Sequence, residues 1–446
     1  MLRSQNRYLI PFILLALIAL IGVFFPTSTT ANEPNPAYPV EAGDVAWLLS
    51  ASGLVLLMTP GLAFFYGGMV RYKNLISTLI QNFISLGIVS LVWLLVGFSL
   101  AFGRDWGGLI GNPGDFFMFK EVGLAVRPEF ATKVPFALFA MFQLKFAIIT
   151  PALITGGVAE RVRFSSLMLF IVLFSICIYA PLAHWTWHPS GFLRQWGVLD
   201  FAGGTVVHIS AGFAALAGAM FLGQRRTMSN VHTPTNIPFV VIGTGLLWFG
   251  WFGFNAGSSL AADGLAITAF VNTNFASATA MLTWVMLDGV TGRKRSVVGA
   301  CVGAVVGLVA ITPAAGYVNV GQSVFIGFVA PIISYFAVQY KTKTGIDDTL
   351  DVFPCHGLGG IVGMILTAVF AKDVGLVYGH TNTFYFHLLA LFIVSMFTFG
   401  GSYLLFMLTD YVLPMRVSPI QEIEGLDLTQ HGETATDWKE RINGGH

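Results

Sequence analysis

Charged residues are scarce in this sequence. Of its 446 residues 10% are Asp, Glu, Lys or Arg and 55% are hydrophobic, whereas about 25% of the residues in an ordinary soluble domain are charged. The surface of a soluble protein of this length could not be covered by 23 basic and 22 acidic side chains. The composition therefore predicts a membrane protein. The net charge of +1 leaves no field to attract nucleic acid, so nucleic-acid binding is excluded.

Cysteine is also rare. Cys177, Cys301 and Cys355 are widely spaced in apolar stretches, so they form neither a disulfide framework nor a CxxC metal site. We interpret them as small packing residues. Glycine, by contrast, is abundant at 50 residues, which is typical of closely packed membrane helices.

The amino terminus resembles a secretory signal peptide. Arg3 and Arg7 precede an apolar run over 8–25, which is followed by Pro26 and a small-residue stretch that ends at Ala31. We expect residues 1–31 to be cleaved and 32–43 to form an external linker. The run is long enough to span a bilayer, so an uncleaved anchor helix is the alternative.

Eleven apolar runs of about twenty residues follow between Asp44 and Asp410. They predict an all-α polytopic membrane protein with a membrane domain over 44–410 and a polar cytoplasmic tail over 411–446. If the amino end of the mature chain lies outside, twelve basic residues fall in inner loops and six in outer segments, which agrees with the positive-inside rule. The inner set is Arg71, Lys73, Arg161, Arg163, Arg225, Arg226, Arg293, Lys294, Arg295, Lys341, Lys343 and Arg416.

Two histidines in the spans indicate an internal repeat. His208 lies early in the fifth span and His356 early in the tenth, and each follows an aspartate, Asp200 or Asp348, by eight residues. Helices five spans apart run in opposite directions, which predicts a five-plus-five inverted repeat with halves over about 44–223 and 238–371, followed by a last helix over 383–410.

A glycine follows each histidine by four residues, at Gly212 and Gly360, so we expect the two helices to cross closely there. The paired histidines suit a proton relay or the polar lining of a narrow pore, because neutral imidazole both donates and accepts a hydrogen bond. Two satisfied core histidines are the structural alternative. A metal site is weakly supported, because Cys355 alone could join them as a ligand.

Aromatic residues cluster in three places, in two of them at helical spacing. Under the predicted topology all three clusters lie in the outer half of the membrane. They are Phe142 with Phe146, Trp251 with Phe254 and Ser258, and Trp185 with Trp187.

Six segments together resemble the ammonium transporter (Amt/Rhesus) family, on its bacterial Amt side. They are GLAFFYGGMVRYKN (61–74), AERVRFS (159–165), DFAGGTVVH (200–208), GWFGFNAGS (250–258), DVF with HG (351–357) and EGLDLTQHGE (424–433).

The resemblance implies an eleven-helix homotrimer with one pore per protomer, in the bacterial inner membrane with its amino end outside. It also implies a cytoplasmic tail that responds to a PII-type signal protein. It assigns Phe142, Trp187, Ser258 and Asp200 to ammonium recruitment, Phe146 and Phe254 to a gate, and His208, His356 and Trp251 to the pore, with Asp348 as the inner counterpart of Asp200.

We therefore expect ammonium (or methylammonium as its analogue) to be recruited outside and deprotonated near the gate, with ammonia passing the histidines and no cofactor involved. For Asp200 two functions remain open, holding nearby backbone or adding negative potential. Whether the protein transports ammonia alone or ammonium with its charge also remains open.

Lys145 departs from the pattern, because a lysine one residue before the gate needs a partner or a wet cavity. We expect it to point into a helix or subunit interface; if it faced the pore it would repel the substrate. Two other functions are alternatives to transport. An intramembrane hydrolase is not supported, because the sequence lacks a nucleophile motif and HExxH. An ammonium receptor on the same fold would bind ammonium without transporting it.

Overall fold

A computed structural model describes residues 2–24, 33, 37–226 and 234–435. Almost all regular structure in these ranges is helical, beside one antiparallel hairpin of strands β1 (Asp105–Trp106) and β2 (Ile110–Gly111). Helix α1 (Leu2–Phe24) is apolar from Leu9 onward, and its side chains there are largely exposed. The cleavage position expected near Ala31 lies outside the described residues, so the cleaved leader stays a prediction.

Eleven apolar helices follow within the described ranges after residue 37. Ten are long and apolar enough to cross a membrane. The eleventh, α9, has 15 residues and coincides with the eighth run of the sequence. The helices are α2 (Ala42–Met69), α3 (Tyr72–Phe102), α4 (Phe136–Val158), α5 (164–187), α6 (Gly204–Leu222), α7 (Ile237–Ser259), α8 (Gly264–Val290), α9 (Val297–Ile311), α10 (Val320–Lys341), α11 (Phe353–Phe370) and α12 (Thr381–Val412). The predicted all-α polytopic fold is confirmed.

The helices pack as two related halves. The first helices of the halves, α2 and α7, lie along each other, and their last helices, α6 and α11, also pack together. In the most apolar part of α4 and of α6, 78% of the residues are buried, against 33% in α12. Helices α4 and α6 therefore run through the interior of the bundle, while α12 covers its outside.

Matching backbone features mark the two ends of the repeat. Helices α6 and α11 each begin with a π-helical turn that contains the histidine, over Gly204–Ile209 and Phe353–Gly357. A Cβ atom on Gly212 would lie 2.3 Å from the backbone nitrogen of Gly357. Only glycine allows this approach, so the predicted close crossing of the two helices is confirmed at Gly212.

Charged loops and the start of the tail meet at one end of the bundle. Glu160, 2% exposed at its side chain, accepts ion pairs from Arg71 (3.4 Å) and Arg225 (2.7 Å), and Arg225 also binds Asp347. Within the tail, α13 (Pro419–Glu424) lies against the first of these loops, because the Lys73 ammonium donates to the carbonyl oxygen of Glu422 at 3.2 Å. The loops that follow the first, third, fifth and ninth spans therefore lie together, as alternating spans require.

The cysteines do not all pack inside. Cys301 and Cys355 are buried, but Cys177 is exposed on α5. The packing interpretation was wrong for Cys177, because its face of the helix is not covered by another element of the chain.

Candidate substrate pathway

An open cavity of about 350 Å³ lies beside Phe146. Phe142, Trp187, Ser258 and Asp200, which the sequence assigned to recruitment, all line it, and Phe146 forms part of its lining. The structure thus brings together residues from α4, α5, α7 and the loop before α6. Ser258 donates its hydroxyl proton to the carbonyl oxygen of Phe254 at 2.8 Å, so its oxygen lone pairs are free to accept a hydrogen bond.

Two hydrogen bonds fix Trp187 at the end of α5. Its indole Nε1–H donates to the backbone oxygen of Asp200 at 3.3 Å, and its own carbonyl accepts from the guanidinium of Arg194 at 2.9 Å. The indole is thereby tied to the loop that precedes α6.

The carboxylate of Asp200 is engaged by the start of α6. It accepts hydrogen bonds from the backbone N–H groups of Gly203, Gly204 and Thr205 at 2.6–2.8 Å, and from the Thr205 hydroxyl at 2.5 Å. These are the unpaired donors of a helix amino terminus. Of the two functions left open by the sequence, the geometry favours holding the backbone.

Asp348 has the matching position before α11. Its carboxylate accepts from the backbone N–H groups of Val352 at 3.1 Å and Phe353 at 2.7 Å. Each acid therefore caps the helix that carries His208 or His356, which is the structural basis of their identical spacing in the sequence.

Two phenylalanine rings close the inner side of the cavity. The ring centroids of Phe146 and Phe254 are 4.3 Å apart, and both side chains are buried. Phe146 also contacts Phe142 (5.0 Å) and Trp187 (5.7 Å), edge to face in both cases. The aromatic rings of Phe142 and Trp187 are therefore in continuous contact with the Phe146–Phe254 pair.

The histidines follow directly behind these rings. Their Nδ1 atoms lie 3.3 Å apart, and the His208 ring stacks on Trp251 (5.3 Å, 17°) and against Phe254 (5.8 Å). His208, His356, Trp251 and Phe254 line a second cavity of about 10 Å³ with otherwise apolar neighbours. A space of that size is close to what a single water needs.

Several lining residues escaped the sequence interpretation. Thr312 accepts the indole N–H of Trp251 at 2.9 Å, while Gln143, Arg194 and Tyr317 line the outer cavity. A polar Gln143 inside an apolar span was a usable signal. Thr312, Arg194 and Tyr317 are brought in by the tertiary fold from other segments, so no local pattern marks them.

Lys145 lies away from this pathway. It faces an apolar groove on the outside of the bundle between α2 and α4, lined by residues such as Leu49, Leu56 and Met141. The structure therefore agrees with the expectation that Lys145 points away from the pore, toward a helix interface. Among the described residues, no group of three or more His, Cys, Asp or Glu side chains could hold a metal ion.

Together these features define a multi-span membrane protein with a narrow, nearly apolar interior path. The model of the Ammonium Transporter Family matches residues 46–436. The chain is 45% identical over 405 residues (89% of this chain, 98% of the relative) to a putative ammonium transporter of Methanothermobacter thermautotrophicus. It is 44% identical over 428 residues (94% and 99%) to the ammonium transporter of Aquifex aeolicus.

Solved structures agree. Candida albicans Mep2 matches with a TM-score of 0.81 at 36% identity, covering 89% of this chain and 90% of that one. A structure titled Sensor Amt Protein matches with a TM-score of 0.80 at 30% identity, covering 87% and 98%. This chain belongs to the ammonium transporter family, a family of transporters and not of enzymes.

Proposed function

We propose that this protein recruits ammonium at the outer cavity, deprotonates it near the Phe146–Phe254 gate and conducts ammonia past His208 and His356. The proposal rests on one observation, the continuous series of contacts from the outer cavity through the Phe146 and Phe254 rings to the histidine pair. Each part of that series has a definite chemical task.

Recruitment requires groups that replace the water around a cation. Trp187 and Phe142 present aromatic faces to the cavity, and a cation over such a face gains about 0.5–2 kcal/mol. Ser258 adds a hydroxyl oxygen with free lone pairs. Ammonium satisfies both, because it carries charge and donates hydrogen bonds.

Beyond the gate the path favours a neutral molecule. Apart from the two imidazoles, the inner cavity is lined by apolar side chains such as Leu62, Ile149 and Val305. Carrying a bare ion into such surroundings costs many kcal/mol. Ammonium can release its proton and continue as ammonia, whereas potassium has no proton to release and stops at the rings. The released proton returns, in this proposal, across the histidine pair.

Transport is tested by uptake of labelled methylammonium into cells that lack their own carrier. We expect saturable uptake that ammonium inhibits. Replacing Trp187 by Leu should raise the half-saturation concentration about 3- to 30-fold, which corresponds to the loss of a cation–π contact of about 0.7–2 kcal/mol. Ser259→Ala is the matched control, because Ser259 lines the same cavity but bonds the backbone of Ala261.

An ammonium receptor is the second candidate, and the relative titled Sensor Amt Protein favours considering it. Transport is better supported, since relatives named ammonium transporters are 41–45% identical to this chain and the Sensor Amt Protein is 30% identical. Binding of methylammonium without uptake would decide for the receptor.

The proposal extends to assembly and membrane placement. We infer a homotrimer in the bacterial inner membrane, with the amino end outside, the tail in the cytoplasm and a PII-type protein as its partner. The meeting of the basic loops with α13 at one end of the bundle supports the orientation. The orientation is tested by placing single cysteines in the 103–135 loop and in the tail and labelling them from either side of the membrane. The homotrimer is tested by the mass of the purified complex.

A further inference from the structure

A histidine and an aspartate meet at the outer end of α5, one turn before Trp187. His184 is fully buried, and its Nε2 lies 2.9 Å from the Asp105 carboxylate, while its Nδ1 lies 2.9 Å from the backbone oxygen of Ala101. Asp105 belongs to strand β1, so the pair joins the outer hairpin to α5.

The bonding partners fix the number of protons on the ring. The carbonyl oxygen of Ala101 only accepts, so His184 Nδ1 carries a hydrogen. The Asp105 oxygen that faces Nε2 also accepts the backbone N–H of Gly108 at 2.7 Å, as a carboxylate oxygen does. Nε2 therefore carries a hydrogen as well, and His184 is an imidazolium.

We propose that the His184 imidazolium and Asp105 form an ion pair that helps to position Trp187 and thereby contributes to the affinity of the outer cavity for ammonium. The proposal rests on the proposed recruitment function of that cavity. His184 and Asp105 act as positioning residues, because neither lines the cavity.

The His184–Asp105 pair lies at the outer end of α5. His184 lies in the last turn of the helix, where a positive charge interacts favourably with the helix dipole. The outer hairpin is bonded to the same region: the Trp185 indole donates to the oxygen of Leu109 at 2.7 Å, and the N–H of Phe192 donates to Gly108 at 3.2 Å. The hairpin, the end of α5 and the turn that follows α5 are therefore hydrogen-bonded to one another near Trp187.

Other charged groups near the pair are balanced. The His188 ring stacks on His184 at 4.3 Å. Because Nδ1 of His188 accepts the backbone N–H of Ser190, that nitrogen carries no hydrogen, and the positive charge of the stacked rings lies on His184. Arg194 lies on the following turn, with its guanidinium on the Trp187 carbonyl. The cavity beside His188 is lined by three basic and three acidic side chains, namely Arg104, Lys120, Arg127, Asp115, Glu121 and Glu129.

The protonation state of Asp105 agrees with this arrangement. Its partial burial alone would raise the pKa of the carboxyl, but the hydrogen bonds from His184 and Gly108 outweigh burial and lower the pKa below its ordinary value. Asp105 is thus held in its ionised form by these hydrogen bonds.

The pair joins the hairpin to α5 beside the bonds of Trp185 to Leu109 and of Phe192 to Gly108. Without a hydrogen on Nε2, the lone pair of the ring would face the carboxylate, which repels it. Loss of the pair therefore loosens the end of α5 that carries Trp187, whose own bonds to Asp200 and Arg194 remain.

Nitrogen NMR of histidine-labelled protein in lipid tests the proton count without any transport. Because the chain has nine histidines, the His184 signal is identified as the one that is missing from His184→Gln. At pH 6 we expect this signal to be that of a doubly protonated imidazole and to lose its second proton in Asp105→Asn. Asp115→Asn is the matched control, since it removes the same charge from the same outer loop at the pair with Arg104 (3.6 Å). A neutral imidazole at the His184 signal of the wild type at pH 6 would overturn the proposal.

Uptake then tests the consequence. Methylammonium stays protonated up to pH 8.5, because its acidity resembles that of a lysine ammonium, with a pKa of about 10.4. We expect Asp105→Asn to raise the half-saturation concentration about 3- to 10-fold at pH 6 with little change in maximal rate, whereas Asp115→Asn should leave the half-saturation concentration unchanged. An unchanged half-saturation concentration in Asp105→Asn overturns the positioning function. If the wild type shows the imidazolium signal of His184 but takes up no methylammonium, the transport proposal is overturned and the ion pair is not.

Discussion

The imidazole of His208 faces that of His356 with Nδ1 atoms 3.3 Å apart. Within this hydrogen bond one nitrogen donates and the other accepts, so the neutral pair shares a single proton between the rings. Both helices present their histidine from a π-helical turn behind an aspartate cap, which fixes the two rings against each other.

That shared proton gives the first prediction. Replacing His208 by Ala removes one half of the relay and should abolish the ammonium-dependent current of protein reconstituted in a bilayer, while uptake of the neutral species continues. Current recordings beside methylammonium uptake on the same preparation measure both. A wild type without any ammonium-dependent current would remove the relay from the mechanism.

The second prediction concerns the gate. Because the Phe146 and Phe254 rings are 4.3 Å apart and buried, they leave no room for a hydrated ion. Changing both residues to Ala should let potassium leak through vesicles that hold the protein. The matched control is Phe139→Ala, which removes a buried ring from the same helix α4 but from a cluster with Phe102 and Phe136. Equal leakage in both variants would contradict the gate.

The third prediction separates the two functions considered for Asp200. Asn at this position keeps one acceptor oxygen and loses the charge that stabilises the four hydrogen bonds of the α6 start. We expect Asp200→Asn to lower the free energy of unfolding by about 2–4 kcal/mol, measured by denaturation in detergent. A variant of unchanged stability with a raised half-saturation concentration would show that its charge acts on the substrate instead.

Lys145 supports a fourth prediction. Since its side chain faces the groove between α2 and α4 and not the pathway, Lys145→Ala should leave the rate and half-saturation of methylammonium uptake within about twofold of the wild type. Gln143→Lys, two residues away on α4 and lining the outer cavity, serves as the contrast and should reduce uptake strongly. Increased uptake in Lys145→Ala would place the lysine charge in the path.

The inner ion pairs give the fifth prediction. Burial would raise the pKa of Glu160 and of Asp347, but their arginine partners outweigh it; both pKa values are lowered, that of Asp347 to about 2. A lowered pKa stabilises the fold fully above the ordinary value and loses that contribution as pH falls toward the shifted one. Stability from Asp347 should thus be constant above about pH 4 and fall between about 4 and 2.

The corresponding variant is Glu160→Gln, which leaves Arg71 and Arg225 without their shared carboxylate. We expect a loss of about 3 kcal/mol at neutral pH, as for other broken buried pairs. Thermal unfolding followed by tryptophan fluorescence measures it, with Glu129→Gln at the exposed pair with Arg127 as control. Equal effects of the two changes would show that burial of Glu160 adds nothing.

Much of this architecture was predictable because membranes constrain sequence strongly. A span needs about twenty apolar residues, so the runs between Asp44 and Asp410 marked nearly every helix. The equal spacing of Asp200 to His208 and of Asp348 to His356 marked the repeat, because the same cap begins both helices. The prediction was wrong for Cys177, since an apolar context does not tell a covered helix face from an exposed one.

The sequence by itself determined which segments are helical, that they belong to a membrane and which histidines are equivalent, because hydropathy and spacing are local properties of the chain. Only the tertiary structure decided that Thr312 holds Trp251, that Asp200 serves the start of α6, and that His184 lies on Asp105. These relationships join residues from separate segments or depend on where side chains point. The direction of each hydrogen bond follows from packing, and no pattern along the chain records it.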